Sequence, residues 1–118
     1  MALQGKANEA EAALQPLLKD EDIRIVARAI WCLGKLPGRG QAAVDQALGS
    51  KEADLRIVGI RLAREFKLVV LNVVEKLVSD PDAAVRRECA IALRHNTAPQ
   101  AAELWVSFYF IMVSLERR

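Results

Sequence analysis

Aromatic residues make up only 5% of the 118-residue chain, alongside six glycines and four prolines. This scarcity argues against a β-sandwich or barrel, which draws on aromatic strands and frequent Gly/Pro turns. There is a single histidine, and the two cysteines, Cys32 and Cys89, lie 57 positions apart with no CxxC or CxxCH motif. A structural zinc site needs four ligands and a c-type haem needs CxxCH, so neither is expected, and no cofactor is expected at all. Both cysteines fall inside apolar helical patterns and are expected as small buried hydrophobes, with a disulfide as the alternative. Charge of one sign is also missing. Seventeen Lys and Arg face fifteen Asp and Glu, and a net charge of +2 does not announce a nucleic-acid or membrane partner. The apolar run 104–115 spans 12 residues, where a transmembrane helix needs about 20, so no span is expected. Met1–Lys6 lacks the apolar core of a signal peptide, which leans toward a cytoplasmic chain without deciding the compartment.

The sequence is instead rich in Ala, Leu, Val, Arg and Glu, at 53% hydrophobic and 27% charged residues. Such a composition favours helix. It is also organised by a gapless 30-residue period. Leu14, Val44, Val74 and Leu104 are apolar at every step, as are Leu18, Leu48, Val78 and Phe108. In the second half of each unit Ile25, Leu55 and Val85 match, Ala29, Gly59 and Cys89 are all small, and Leu33, Ala63 and Leu93 close the series. Asp20, Ser50 and Asp80 align between the halves, followed by Asp22, Glu52 and Asp82.

Spacings of four place each apolar set on one helix face. The Asp/Ser/Asp column is expected to cap the second helix, with the next carboxylate column in its first turn and Pro81 at its first position. The small column is expected to let the two helices of a unit approach closely. The spacing predicts first helices over 7–19, 41–49, 68–79 and 99–115. It predicts second helices over 21–36, 51–66 and 81–95. Pro37-Gly38-Arg39-Gly40 breaks the chain before the second unit. No unit can bury its apolar stripe alone, so the expected fold is all-α, a single right-handed α-solenoid. Its repeats fall at about 7–36, 41–66 and 68–95, with a partial one at 99–118.

The stretch Leu77-Val78-Ser79-Asp80-Pro81-Asp82-Ala83-Ala84-Val85-Arg86-Arg87-Glu88-Cys89-Ala90-Ile91-Ala92-Leu93 resembles the short HEAT-like repeats of the phycobilisome lyase type. The first unit matches nearly as well, with Val26 where Arg56 and Arg86 stand in the others. The resemblance covers about residues 10–108. Arg28-Ala29-Ile30-Trp31-Cys32-Leu33-Gly34-Lys35-Leu36 is similar to HEAT segments of bacterial proteins that join a dehydrogenase-like β-propeller to a c-type haem domain. There the HEAT part is a connector or docking arm, so this resemblance implies a piece of a larger, membrane-associated or haem-containing protein.

The fourth unit departs from the pattern. Phe110 stands where the cap column calls for a polar residue, and Phe108-Tyr109-Phe110-Ile111-Met112-Val113 replaces the turn. A closing helix, an altered end of a longer array and a membrane contact all fit this run. Three consecutive aromatics cannot all point inward from one helix, so Phe108, Tyr109 and Phe110 are expected to form a contact for self-association or a partner.

Catalytic chemistry finds little support. His95 has no Ser or Cys beside it in a nucleophile setting, and its repeat mates Lys35 and Glu65 mark a solvated position. The Pro37–Gly40 turn lacks Walker spacing. The acidic residues fall on caps and first turns, so the chain is expected not to be an enzyme. Repeat HEAT solenoids line their concave surface with second helices. By that resemblance Arg61, Arg64, Arg87 and Arg94 form a basic strip with Trp31 beside it. Arginine forks suit carboxylates and phosphates, so the expected role is a protein-docking scaffold for an acidic segment. The opposing view is a plain solvated face, or arginine stems and Trp31 packed between adjacent repeats. A nucleic-acid role like that of the HEAT-fold alkylation-repair glycosylases would need a denser basic stripe. A part in chromophore attachment finds no contact residue here.

Overall fold

The computed structural model describes residues 2–66 and 70–116. All regular structure in it is helical: α1 (Ala2–Leu14), a 3-10 segment (Gln15–Lys19), α2 (Ile23–Lys35), α3 (Gly40–Leu48), α4 (Ala53–Glu65), α5 (Val70–Leu77), α6 (Ala83–Arg94) and α7 (Pro99–Glu116). Positions 68 and 69 of the expected third first helix, and 117 and 118 of the partial repeat, lie outside the described residues.

Each even-numbered helix packs on the helix before it in the chain, and α2, α4 and α6 also pack on one another in series. The core runs along this contact. Ile30, Ile60, Leu62, Val44, Val74, Val85, Cys89 and Leu93 are its fully buried members. The periodic columns account for most of them: Val44 and Val74, Leu55 and Val85, Ala29 and Cys89, and Leu33, Ala63 and Leu93 are all buried. Ile25 is half-buried, and its neighbour Val26 takes the inward place in α2.

Gly59 is where the small column matters. A Cβ there would come within 2.8 Å of Leu48 Cδ2, 3.1 Å of Leu48 Cγ and 3.2 Å of Ala47 Cβ. The α3–α4 contact is thus closer than a methyl group allows.

Four expectations are corrected. The first helix does not run over 7–19. It begins at Ala2 and tightens to 3-10 geometry after Leu14, because Pro16 supplies no N–H and its ring crowds the preceding turn. The N-caps are Asp22, Glu52 and Asp82, two residues later than expected. Asp20, Ser50 and Asp80 form the turns leading in, accepting the N–H of Asp22, Glu52 and Asp82 at 2.8, 3.0 and 2.9 Å. Pro81 therefore precedes the cap rather than opening the helix. Asp22 and Asp82 cap in full, accepting from Arg24 N–H at 2.9 Å and Ala84 N–H at 2.8 Å, whereas Glu52 makes no side-chain cap bond. Cys32 is exposed, because it lies on the flank of α2 turned away from Ala29, Ile30 and Leu33; both thiols are free. Phe108 is buried, so only Tyr109 and Phe110 of the aromatic run face outward, each 65% exposed.

The turns are tied to one another. Arg56 donates from Nε to Asp80 Oδ2 at 2.8 Å and from Nη2 to Asp80 Oδ1 at 2.9 Å. Its Nη1 closes the preceding turn on the carbonyls of Ser50 and Lys51, at 3.1 and 2.9 Å. Arg86, one period later, donates to the Asp80 carbonyl at 2.6 Å. Both partners of the ion pair are largely sequestered, at 13% and 5% side-chain exposure. Burial alone would raise the Asp80 carboxyl, but hydrogen bonds from Arg56 and from the Asp82 N–H outweigh it and hold it below the usual carboxylate range. At the other end, Arg39 at the start of α3 reaches back to Glu11 at 2.6 Å and Asn8 at 3.2 Å, anchoring α1. Gly38 makes that approach possible with φ of 74°, which a Cβ would strain.

Two stability predictions follow from this packing. Gly59→Ala gains about 1 kcal/mol of helix propensity but overpacks the α3–α4 contact by roughly 1–3 kcal/mol. A net loss of about 1 kcal/mol is expected in urea unfolding; a more stable variant would mean that the helices separate freely. Asp80→Asn should cost about 3 kcal/mol at neutral pH, the scale of removing one partner of a buried pair. Because the folded carboxyl titrates below its unfolded value, that stabilisation is complete above about pH 4 and fades as pH falls through the folded value. Urea midpoints of the two proteins should therefore converge below about pH 4, and a constant gap down to pH 2 would contradict the assignment.

Candidate functional site

The serial packing of α2, α4 and α6 opens a groove of about 530 Å³ along one flank. Trp31 of α2, Arg61, Arg64 and Glu65 of α4, Val70 of α5, and Ala92, His95 and Asn96 at the end of α6 line it. Trp31, Val70 and Ala92 supply apolar surface, while the two arginines and His95 make the polar rim. His95 is exposed and closes α6, its backbone N–H donating to the Leu93 carbonyl.

The two arginines differ. Arg61 donates from Nε to Glu88 Oε1 at 2.9 Å and from Nη2 to Oε2 at 3.4 Å, which raises its pKa further above the ordinary arginine value. The Glu88 side chain is 9% exposed and that of Arg61 57%. Glu88 thus fixes Arg61 from below and partly cancels its charge. Arg64 is half-buried and makes no ion pair with any described residue, so it is the stronger anion-seeking group of the groove.

Of the five residues singled out by the periodicity, the groove gathers Trp31, Arg61 and Arg64 and leaves out Arg87 and Arg94. Those two are exposed on the opposite side of α6. At about 100° per residue, Ala92 lies roughly 150° around α6 from Arg87 and Arg94, while His95 and Asn96 follow the end of the helix. The strip is therefore split between two surfaces. Glu88, His95 and Asn96 are the residues that periodicity passed over. His95 carried a signal in its repeat mates Lys35 and Glu65, since Glu65 also lines the groove. Glu88 carried none, because it is an acid in mid-helix and its ion-pair partner lies 27 positions away.

No group of three or more His, Cys, Asp or Glu side chains among the described residues is arranged to hold a metal ion. Burial pushes the Cys89 thiol up to about 12, with the charges of Asp80 and Glu88 adding to it, so it is not a nucleophile at neutral pH. No described helix is long and apolar enough to cross a membrane. Comparison with protein-family models finds no match, and neither the curated proteins nor the solved structures contain a match to the chain.

The Arg61–Glu88 pair is open to solvent on the arginine side, so its coupling should be near 1 kcal/mol rather than that of a buried pair. A double-mutant cycle with Arg61→Ala and Glu88→Gln, read by urea unfolding, measures this. Coupling indistinguishable from zero would mean that Arg61 is free for a ligand without competition.

Proposed function

We propose that the chain is a short α-solenoid of HEAT-like repeats acting as a non-enzymatic docking module, which takes an acidic segment of a protein partner in the groove between α2, α4 and α6. The observation that carries this reading is the placement of Arg64, half-buried and without a carboxylate partner among the described residues, beside Trp31 and Val70. An arginine on an apolar floor suits a carboxylate flanked by an apolar side chain: the charge fixes register and the floor adds contact area. Arg61 contributes second, because an incoming carboxylate competes with Glu88 for its fork. The repetition of the inter-helix packing supports the solenoid part of the reading, as does the 30-residue period that underlies it.

A fluorescein-labelled peptide with alternating glutamates around a central phenylalanine tests it. In a Trp105→Phe background Trp31 remains as the reporter of groove occupancy. Binding should quench Trp31, and Arg64→Glu should weaken it about tenfold or more, the scale of one charge-assisted contact. Unchanged affinity in Arg64→Glu would remove the groove as the docking site. A single-stranded oligonucleotide that binds far more tightly than the peptide, with a steep salt dependence, would replace the acidic peptide by nucleic acid.

A further inference from the structure

Arg56 and Arg86 occupy the same place in successive units, yet only one of them holds an acid. Asp80 takes the Nε–Nη2 edge of Arg56. Arg86 keeps the bond from Nη1 to its own turn, but its Nε is buried and has no hydrogen-bond partner among the described residues. One period beyond Asp80 stands Phe110, inside α7.

The rest of that helix face is equally unmatched. In α4, against which α6 packs, the face made by Ala53, Arg56, Ile57, Ile60 and Arg64 has Ile60 fully buried and the other four half-buried. The corresponding face of α6 is Ala83, Arg86, Arg87, Ala90 and Arg94. Here Ala83, Arg87 and Arg94 are exposed and Ala90 only half-buried. None of the three arginines pairs with a carboxylate of a described residue. A helix laid over α6 as α6 lies over α4 would therefore meet a small apolar strip flanked by positive charge.

We infer that this face of α6 docks an acidic amphipathic helix of a partner protein, with an aspartate just ahead of that helix seated on the Nε edge of Arg86. The Arg56–Asp80 fork is the template for the contact, and charge complementarity to Arg87 and Arg94 selects acidic residues along the helix. Alanines at 83 and 90 leave room for the partner's apolar side chains. Seating the aspartate requires Arg86 to turn its Nε edge outward, a rotamer change open to a half-exposed side chain. The face lies across α6 from the groove, so the two surfaces are separable by mutation.

The probe is a labelled 16-residue helical peptide that starts Ser-Asp-Pro-Asp and carries leucines on one face with glutamates beside them. Fluorescence anisotropy against the intact chain should show binding that weakens at least about tenfold with Arg87→Glu/Arg94→Glu, two exposed changes that should leave the melting temperature unaltered. Replacing the first peptide aspartate by asparagine should weaken binding to the wild type and have no further effect on Arg86→Gln. Arg64→Glu should change nothing. Absence of binding at low salt would overturn the inference. So would equal binding of a proline-interrupted peptide of the same charge, or loss of binding in Arg64→Glu, which would assign the acid to the groove instead.

Discussion

The bidentate pair between Arg56 and Asp80 fixes the relation between two successive helix pairs. A single guanidinium closes the turn ahead of α4 through two carbonyls and grips the turn ahead of α6 through a carboxylate. Asp80 in turn accepts the Asp82 N–H and offers its carbonyl to Arg86. Arg56 Nη1 and Asp80 Oδ1 each serve two bonds. Displacing the register of α6 against α4 would break several charge-assisted bonds together, at a depth where unpaired charge is costly. Apolar packing along α2, α4 and α6 is strong but tolerant of small sliding motions; the fork is not.

The junction before it dispenses with this device as a unit. Val26 replaces the arginine and Ser50 replaces the aspartate. Losing only one of the two would have left a sequestered charge without its counter-ion. Losing both leaves a buried valine and a serine that still accepts the Glu52 N–H at 3.0 Å. α2 and α4 pack on each other without such a fork, and Val26 and Ile30 join the common apolar core. The junction after it has the opposite character, an arginine retained and its acid gone. The three junctions thus carry a full pair, no pair and half a pair, and only the half pair leaves a polar atom orphaned.

The helices and most of the core were legible from the 30-residue spacing, because burial repeats with the helices and the spacing of apolar residues records burial. What periodicity could not read was local chemistry. It placed the caps two residues early, since an aspartate that opens a turn and one that caps a helix look alike in sequence; Asp80 and Asp82 are told apart only by which N–H each accepts. It ran the first helix through Pro16, where the preceding turns had a strong helical pattern. It treated Cys32 as buried because its neighbours are apolar, although it lies on the flank opposite them. It counted Arg61, Arg64, Arg87 and Arg94 as one strip, because a column in a repeat fixes a face relative to its own helix and not which neighbour that face meets.

That last distinction decides how charge is distributed over the molecule. Arg61 and Arg64 sit on α4, which has a helix on either side, so their charge is partly spent within the fold: Glu88 rises beneath Arg61 and takes its fork. Arg87 and Arg94 sit on α6, whose matching face has no following helix among the described elements. Of these arginines Arg61 is a structural ion-pair donor, whereas Arg87 and Arg94 pair with no carboxylate of a described residue. A chain with a net charge of only +2 can in this way gather positive charge on one helix face, because acids such as Asp22, Asp80, Asp82 and Glu88 are engaged in turns, caps and internal pairs.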